Sequence, residues 1–493
     1  MLYLGFCSLL PAQAIRFSKH FDFSGNGDGV GMRVIVLPHG YAMLSLQDCT
    51  PQTDWNYCTA LTITDTLGEV LQQKIFRRLR FEGLRYHPQD STFLLWGDFR
   101  VAGEDYAPCM LKVNYEGDTL WSMSVNPPNV DFCRQMLELP DKSIMMSTCS
   151  RYTTGNDATV IKTDSVGNLL WVKGYDTGNY FKSYDVQGLM AWQDSTVLLC
   201  ANGQFFDTFD DNFFSSGVAL FQTDYDGNLR YDTAYRLETV GNYAYPKIAM
   251  IPGGRIVTSS NNELLGPVNG GNNLLAINMD DHSIDWTLGF TESGDNALIN
   301  NLSTTLDSGI VVSGSTFTEV FPNNHPCAWI FKADAEGQLE WQRFIPRTLS
   351  YSINDIKPTP DGGYILVGRY ADSDDNFRNY VSLIKIDGRG CLQPNCDSLL
   401  VTTAAEEPAP GVIPTVLKIQ PNPADFYFMV NTEELDAGRI RVVDLMGYIV
   451  TEIPISGNKT TIPVSHCVNG LYAVQYLDAK GKMQGAGRIV VQH

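Results

Sequence analysis

A unit that recurs between residues 29 and 392 most constrains what this chain can fold into. Its second half is an alternating apolar segment, a short turn of the form Asp-x-x-Gly, and another segment that carries an aromatic residue. The seven copies of this half begin at Thr59, Cys109, Ala158, Ala219, Leu274, Ala328 and Val381. Such internal similarity is typical of a repeat architecture, in which each copy folds as one supersecondary unit.

Each turn predicts a tight hairpin between two half-buried strands. The turn glycines are Gly68, Gly117, Gly167, Gly227, Gly337 and Gly390. The fifth copy has Asp280-Asp281-His282 in this place. Asp opens such a turn by accepting hydrogen bonds from the backbone ahead, and Gly adopts the left-handed conformation that follows. We expect the aromatic residues after the turns to pack against the next unit: Trp121, Trp171, Tyr231, Trp286 and Trp341.

The first half of each unit predicts a further pair of strands joined by a polar turn, as in the segments that begin at Met136, Asn301 and Asp355. Four short strands make a sheet that is stable only when it stacks on copies of itself. The pattern resembles bacterial β-propellers with an Asp-x-x-Gly turn and a following Trp. The resemblance implies an all-β propeller, and the seven copies predict a seven-bladed β-propeller over residues 15–401, with six or eight blades as the alternatives.

The start of the chain offers a strand that closes the ring. The seventh copy runs into Gln393-Pro394, which is poorly suited to supply a fourth strand. On the template of the third copy, the matches are Phe17 for Trp171, Lys19 for Lys173, and Phe21 for Tyr175. We therefore predict that residues 15–23 form the outer strand of the last blade, since an open ring leaves unpaired sheet edges.

Residues 1–14 read MLYLGFCSLLPAQA, which is apolar, uncharged and ends in a small-x-small triplet. This is typical of a secretory signal peptide with its cleavage site, although the usual basic start is missing. Its removal leaves ten of the 11 cysteines, an even number that suits an oxidising compartment. Cys49/Cys58 and Cys391/Cys396 are local pairs that can staple loops, and buried thiols are the alternative. No later segment is long and apolar enough for a transmembrane helix.

The charge of the chain is unevenly distributed. Its net charge is −20, from 35 Lys and Arg against 55 Asp and Glu, which argues against nucleic acid and anionic membranes as partners. Residues 402–416 form a linker rich in Pro, Ala and Glu. Residues 417–493 contain seven basic and seven acidic residues, so the acidity belongs to the part before the linker. We therefore predict two domains with different electrostatics.

Long loops between the second and third strands predict a binding face, because ligand sites usually lie on loops carried by a rigid scaffold. The loop that starts at Gly203 is rich in Phe and Asp. The candidate ligand-binding residues are Phe205, Phe206, Phe209, Phe213, Phe214, Trp55 and Tyr106. Alternatively, the Phe side chains fold onto neighbouring blades. Asp207, Asp210 and Asp211 are candidate ligands of Ca²⁺, although their spacing matches no known calcium loop, and no other cofactor is predicted.

Motifs of familiar catalytic sites are absent from the sequence. It has no Gly-x-Ser-x-Gly, no His-Glu-x-x-His and no Gly-x-x-x-x-Gly-Lys, and its seven His show no metal-ligand spacing. The predicted function of the propeller is therefore a non-catalytic binding module for a glycan or protein ligand. A hydrolase or lyase with its site in the central depression is the alternative.

Residues 417–493 predict a small Ig-like β-sandwich, because short alternating segments are separated by turns. They carry KIQPNP at 418–423, VVDLMG at 442–447, NGLYAV at 469–474 and RIVV at 488–491. Their order and spacing resemble the C-terminal sorting domain of cargo exported by the type IX secretion system of Gram-negative bacteria. A simple Ig-like spacer is the alternative.

This resemblance implies a route and a set of partners. It implies that the type IX translocon and its sortase handle the domain. It also implies that the cargo is released outside the cell or attached to lipopolysaccharide on the outer-membrane surface. The residues that it assigns to the sorting signal are Pro421, Asn422, Pro423, Gly447, Gly470 and Tyr472.

Overall fold

The structure is a computed structural model with two compact units, Met1–Leu392 and Gln393–His493. It describes residues 15–23, 29–48, 57–100, 106–125, 132–149, 158–176, 181–206, 214–236, 246–260, 272–290, 298–316, 327–345, 351–372, 378–392, 415–432, 435, 437–444, 449–465, 467, 470–479 and 483–492. These residues form strands, turns and connections without helix, so the predicted all-β class is confirmed. Among them there is no helix with the length and apolar character needed to cross a bilayer.

The described strands of the first unit are β1 (Phe17–Phe21), β2 (Gly29–Leu37), β3 (Gly40–Asp48), β4 (Tyr57–Thr64), β5 (Val70–Arg77), β6 (Leu79–His87), β7 (Thr92–Arg100), β8 (Tyr106–Val113), β9 (Thr119–Ser124), β10 (Phe132–Glu138), β11 (Ile144–Cys149), β12 (Ala158–Thr163), β13 (Leu169–Tyr175), β14 (Phe181–Trp192), β15 (Thr196–Phe206), β16 (Phe214–Asp224), β17 (Leu229–Arg236), β18 (Ile248–Ile251), β19 (Arg255–Ser260), β20 (Asn272–Asn278), β21 (Ile284–Phe290), β22 (Leu298–Thr304), β23 (Ile310–Thr316), β24 (Cys327–Ala333), β25 (Leu339–Ile345), β26 (Tyr351–Pro358), β27 (Tyr364–Asp372) and β28 (Arg378–Ile386).

These strands build seven four-stranded antiparallel sheets within the described part of this unit. Six sheets use four consecutive strands each, from β2–β5 to β22–β25, and the seventh has the order β1-β28-β27-β26. Repeated four-stranded sheets of this kind are the blades of a β-propeller, as the sequence predicts.

The Asp-x-x-Gly turns have the predicted geometry. In the third copy, Asp164 Oδ1 accepts hydrogen bonds from the backbone N–H of Val166 (3.0 Å) and Asn168 (2.8 Å). Gly167 has a φ of 95°, in the left-handed region that a glycine adopts without steric cost. In the fifth copy, His282 takes this position with a φ of 62°.

Seven apolar clusters fill the spaces between successive sheets of the described propeller. Six of them join one sheet to the next along the chain. The seventh joins the last sheet to the first, because Val367 and Leu383 share a cluster with Val34 and Met43. The core is therefore a ring of wedges rather than one central mass, which leaves the axis free for polar groups.

Strand β1 occupies the outer edge of the last sheet, the place predicted for residues 15–23. Phe17 lies opposite Lys385 and Phe21 opposite Val381, as Trp171 lies opposite Lys162 and Tyr175 opposite Ala158 in the third sheet. Two ion pairs hold this strand: Arg16 with Asp387 in its own sheet at 2.6 Å, and Lys19 with Glu69 in the first sheet at 2.5 Å.

Aromatic residues dock several of the outer strands on the turn of the next sheet, whereas Lys74 and Met123 lie against Gly117 and Gly167. A Cβ atom on Gly227 would lie 2.7 Å from Trp171 Cη2, and one on Gly337 would lie 2.5 Å from Trp286 Cδ2. Gly390 has the same relation to Trp341, and Gly68 to Phe17 of the closing strand. The Tyr231 ring lies 3.5 Å from that of His282 in the fifth copy. The predicted packing is therefore confirmed for Trp171, Tyr231, Trp286 and Trp341.

The described strands of the second unit are β29 (Thr415–Val416), β30 (Ile419–Gln420), β31 (Tyr427–Asn431), β32 (Gly438–Asp444), β33 (Ile449–Pro454), β34 (Lys459–Pro463), β35 (Gly470–Asp478) and β36 (Met483–Val491). They form a five-stranded sheet in the order β29-β36-β35-β32-β33 and a three-stranded sheet in the order β30-β31-β34. Both sheets contribute to one apolar core that includes Phe428, Val442 and Ile489, which agrees with the predicted sandwich.

The cysteines of the described residues fall into more than one class. Cys58 and Cys391, each a member of a predicted local pair, are disulfide-bonded. Cys109, Cys133 and Cys200 are buried thiols. Burial raises the pKa of Cys200 to about 12, so this thiol stays protonated at neutral pH.

Candidate functional site

The first strands of the seven sheets surround a central cavity of about 230 Å³. Residues from β2, β6, β10, β14, β18, β22 and β26, or next to them, all contribute to its wall, so these strands are the innermost ones and the cavity lies on the axis of the ring. The polar side chains among the described lining residues are Arg33, Trp96, Gln135, Gln187, Lys247, Asn301, Asp355 and Lys357.

A β-bulge recurs at the same level of the innermost strands. The register shifts before Arg33, Gly83, Gln135, Gly188, Asn301 and Asp355. Lys247 holds the corresponding place beside β18: its N–H donates to Ser259 Oγ at 2.9 Å, as that of Gln135 donates to Ser147 Oγ at 3.0 Å. Bulges re-aim side chains and are frequent beside functional sites. Here they gather one residue from each sheet around the axis.

Asp355 is the single carboxylate among the described residues of the cavity wall, and it is fully engaged. Its Oδ2 accepts a bond from the N–H of Val34 at 3.0 Å, which links the last sheet to the first. Its Oδ1 accepts from Asn301 Nδ2 at 2.5 Å, from its neighbour's N–H, and from Lys357 Nζ at 2.8 Å. A carboxylate with this many donors is a structural link, and its negative charge is balanced by Lys357.

Lys247 belongs to a chain of hydrogen-bonded polar groups that joins two neighbouring sheets at the cavity wall. Its Nζ donates to Gln187 Oε1 at 3.2 Å, and Gln187 Nε2 donates to Asp185 Oδ2 at 3.3 Å. Burial, followed by repulsion from Arg33, lowers the pKa of Lys247 to about 8, while Glu82 and Asp185 oppose this shift. The group that accepts the hydrogen bond of Lys247 is a neutral amide, so no carboxylate is paired directly with the charge of this lysine among the described residues.

Two further buried carboxyl groups belong to the second sheet, next to strands that line the cavity, and are not themselves part of its wall. Asp98 is completely buried and accepts a hydrogen bond from the N–H of Cys133 at 2.7 Å. Burial raises its pKa to about 8, so at neutral pH its protonated form dominates. Burial also raises the pKa of Glu82, but Arg80, 2.7 Å away, together with Arg33 and Arg134 outweighs it, and the pKa of Glu82 lies below its usual value.

Trp96 forms part of the wall because its neighbour in the sheet has no side chain. It lies opposite Gly83 in the register of β6 and β7, and its ring fills the space that a Cβ atom on Gly83 would take. Any larger residue at position 83 would displace the indole. Gly83 and Trp96 thus shape the cavity as a pair.

Most aromatic candidates from the sequence lie away from this cavity or outside the described residues. Phe205 is half-buried on β15 and packs against the apolar cluster between the third and fourth sheets. This agrees with the alternative prediction, that the Phe side chains fold onto neighbouring blades. Phe206 and Phe214 lie opposite each other on β15 and β16, and Tyr106 is on β8 opposite Arg100. Trp55, Phe209, Phe213, Asp207, Asp210 and Asp211 lie outside the described residues. The aromatic binding surface and the Ca²⁺ site stay predictions, and within the described part no cluster of His, Cys, Asp or Glu has a metal-binding arrangement.

The Pro-Asn-Pro segment of the second unit is tied to the last strand. Asn422 Nδ2 donates to the carbonyl oxygen of Arg488 at 3.1 Å, and its Oδ1 accepts from the N–H of Val490 at 2.9 Å. Tyr472 is buried in the core, whereas Gly470 is exposed at the start of β35. Gly447 lies outside the described residues. Asn422 thus joins two of the segments on which the family resemblance rests.

The cavity residues were not among the candidates chosen from the sequence. One signal for them exists there: a residue pair that breaks apolar alternation precedes an apolar residue in most first strands, as in Arg134-Gln135-Met136 and Asn300-Asn301-Leu302. Each such pair is a bulge. Their convergence becomes visible only when the seven copies are placed around one axis.

The first unit is a β-propeller, and a separate β-sandwich follows it in the chain. Residues 418–492 match the family model of the secretion system C-terminal sorting domain. This segment is a type IX C-terminal sorting domain, and the chain is cargo of that secretion system, either secreted or attached to the cell surface.

Solved structures similar to the chain are β-propellers. One is the β-propeller domain of the Trilobed protease from Pyrococcus furiosus, at 10% identity and a TM-score of 0.43, covering 76% of this chain and 98% of that one. Another is an ulvan lyase, at 9% identity and a TM-score of 0.47, covering 77% and 98%. At these values the likeness says nothing about activity or ligand. No curated protein matches the chain.

Proposed function

We propose that the propeller is a non-catalytic extracellular binding module whose glycan or protein ligand enters the central cavity. The observation that carries the proposal is the ring of bulge residues, which brings amides and cations from distant parts of the chain to one concave site. Rigid concave sites with a few convergent polar groups are where small ligands and chain ends bind.

The chemistry of the wall favours binding over hydrolysis. Glycoside hydrolases use two carboxyl groups across the scissile bond, one as an acid and one as a base or nucleophile. Among the described lining residues Asp355 is the single carboxylate, and four donors already bind it. An engaged carboxylate of this kind serves architecture better than proton transfer.

A lyase is the second candidate function, and Lys247 is the observation that favours it. Burial and Arg33 lower the pKa of Lys247 to about 8, which brings a nitrogen base into the range of catalytic groups. Deprotonated Lys247 would abstract a proton from a bound ligand with the lone pair of Nζ, while an N–H of the same nitrogen still donates to Gln187 Oε1. Turnover of the ligand separates this function from binding.

The second unit supplies the route for either function. We infer that the type IX translocon and its sortase handle residues 418–492, and that the propeller is then released or attached to surface lipopolysaccharide. The match of this segment to the sorting family supports the route.

The test is an array experiment with the full labelled chain on immobilised glycans and extracellular proteins. We expect binding to a narrow class of ligands, loss of that binding in Arg33→Met, and no effect of Arg230→Met, which removes an exposed arginine from the outer strand β17. The bound ligand is then recovered and weighed by mass spectrometry. A ligand returned intact supports the binding module, a cleaved ligand supports the lyase, and a chain that binds nothing contradicts both.

A further inference from the structure

We propose that the central cavity recognises an acidic sugar residue of a glycan, and that Arg33 and Lys247 receive its carboxylate or sulfate group. The inference rests on the proposed binding function and names the class of ligand. It is carried by the charge of the cavity, by the partners of its cations and by the chemistry of the rest of the wall.

The charge around the axis is opposite to that of the whole chain. The chain carries a net charge of −20, yet three cations, Arg33, Lys247 and Lys357, line the cavity against the single described carboxylate of Asp355. Cations gathered in a concave, partly dehydrated site attract anions more strongly than the same charges in open water.

The three cations differ in how they are compensated. Lys357 Nζ binds Asp355 Oδ1 at 2.8 Å and Ser303 Oγ at 3.0 Å, so its charge is paired inside the protein. Arg33 donates to the backbone carbonyl of Met32 at 2.9 Å and has no ion pair with any described residue. Lys247 donates to the Gln187 amide. Arg33 and Lys247 therefore keep donors and charge for a ligand.

The pKa of Lys247 points the same way. Burial and repulsion from Arg33 lower this pKa to about 8, although Glu82 and Asp185 favour the charged form. Arg134, which lies 3.7 Å from Asp185, adds to the repulsion. An anion between Arg33 and Lys247 relieves this repulsion, because it gives both cations the counter-charge that the wall lacks.

The neutral part of the wall suits a sugar. Gln135, Gln187 and Asn301 present amides, which both donate and accept hydrogen bonds and so match hydroxyl groups. Leu84 and Trp96 supply an apolar side for the carbon face of a ring. The volume of about 230 Å³ is below the roughly 300–1,000 Å³ of sites that enclose drug-sized ligands, so one residue or one chain end fits.

An acidic peptide is less well served by the same wall. Extended peptides bind to open sheet edges through their backbone. At the level of the cavity, the register shifts in β2, β6, β10, β14, β22 and β26 interrupt the innermost edges. Side-chain recognition of a hydroxylated, charged ring needs no such edge.

The experiment is calorimetric titration of the full chain with D-galacturonate, D-galactose 6-sulfate, neutral D-galactose and N-acetyl-L-glutamate. We expect both acidic sugars to bind at least about 10-fold more tightly than galactose, because one charge-assisted hydrogen bond contributes an effect of this size. Lys247→Met and Arg33→Met each remove this preference, Lys247→Arg keeps it, and the matched control Arg230→Met, an exposed arginine on the outer strand β17, changes it less than about 3-fold.

Two results would overturn the inference: galactose binding as tightly as the acidic sugars, or N-acetyl-L-glutamate binding more tightly than they do. Raised salt must also weaken binding of the acidic sugars to the unaltered chain, a readout that holds even where a variant fails to fold. A preference for a neutral glycan would defeat the inference and leave the proposed binding function standing. Failure of every array ligand would defeat the proposed function itself.

Discussion

The propeller and the sorting domain use the same secondary structure for different ends. The propeller divides its core among seven clusters and keeps ionisable groups such as Glu82, Asp98 and Asp185 buried around its axis. The sorting domain has one apolar core, and Thr432 and Thr460 are the buried polar side chains among its described residues. Buried charges cost stability unless they are paired, so their concentration in one unit marks where the chain keeps its chemistry. The fold of the sorting domain is specified instead by the packing of its apolar core.

The largest expected effect comes from removing the sorting domain, which separates the role of this domain in export from the role of the propeller. Deletion of residues 418–493 should abolish export, because the routing domain is lost while the seven sheets of the propeller are untouched. The measurement is the distribution of the propeller between cells and medium by immunoblot. Tyr427→Ala, a half-exposed change within the same domain, should be exported normally. Undiminished export of the deleted chain would refute the division.

A core substitution in the sorting domain tests whether its single core stands alone. Phe428 is completely buried, so Phe428→Ala should lower the stability of this domain by about 3–5 kcal/mol. Hydrogen exchange followed by mass spectrometry reads both units in one sample. We expect faster exchange in residues 415–492 and an unchanged rate of exchange in the propeller. Tyr427→Ala, one residue away, should change neither, and a simultaneous rise in both units would mean that they unfold together.

The closing strand tests whether the ring behaves as one body. Phe17→Ala removes the aromatic contact with the Gly68 turn and should destabilise the propeller by about 2 kcal/mol, since the side chain is half-buried. All eight Trp of the chain precede the linker, so the denaturant midpoint followed by Trp fluorescence reports this unit alone. Leu170→Ala on the outer strand β13 is 53% exposed and serves as the control. Equal midpoints for the two variants would show that the strand is dispensable.

The smallest effect concerns the buried carboxyl of Asp98. Its pKa in the folded chain is raised to about 8, so the folded state keeps a proton that the unfolded chain loses above its ordinary pKa near 4. Stability therefore falls as the pH rises through this window, by about 1.4 kcal/mol per pH unit at most. Asp98→Asn removes the dependence and keeps an acceptor for the N–H of Cys133. Melting temperatures at about pH 6 and pH 7 measure it, with the exposed Asp118→Asn as the control, and parallel curves for Asp98→Asn and the unaltered chain would contradict the assignment.

Much of the fold follows from local signals. The turn glycines, the docking aromatics and the match of Phe17, Lys19 and Phe21 to the third copy are short-range patterns, and the sheets have the corresponding geometry. Such patterns are readable because each depends on one turn or one strand with a fixed period.

The residues of the cavity could not be predicted from such local patterns. Arg33 and Asp355 lie at opposite ends of the propeller sequence, and the bulges before them break the alternation that marks a strand. The segment after Gly203 has an unusual composition, rich in Phe and Asp, whereas the cavity residues are ordinary in composition and are distinguished by their position in the fold. Phe205 shows the limit of composition, because it packs between sheets.

The pairing of β1 with β28 has a consequence for the synthesis and folding of the protein. Phe17 lies opposite Lys385, so the first strand made has no partner until nearly the whole propeller has been synthesised. At about 5–20 residues per second, a ribosome leaves it waiting for roughly 20 to 70 seconds. During that interval the nascent chain is an unclosed string of wedges, which a chaperone or a narrow pore can still accept.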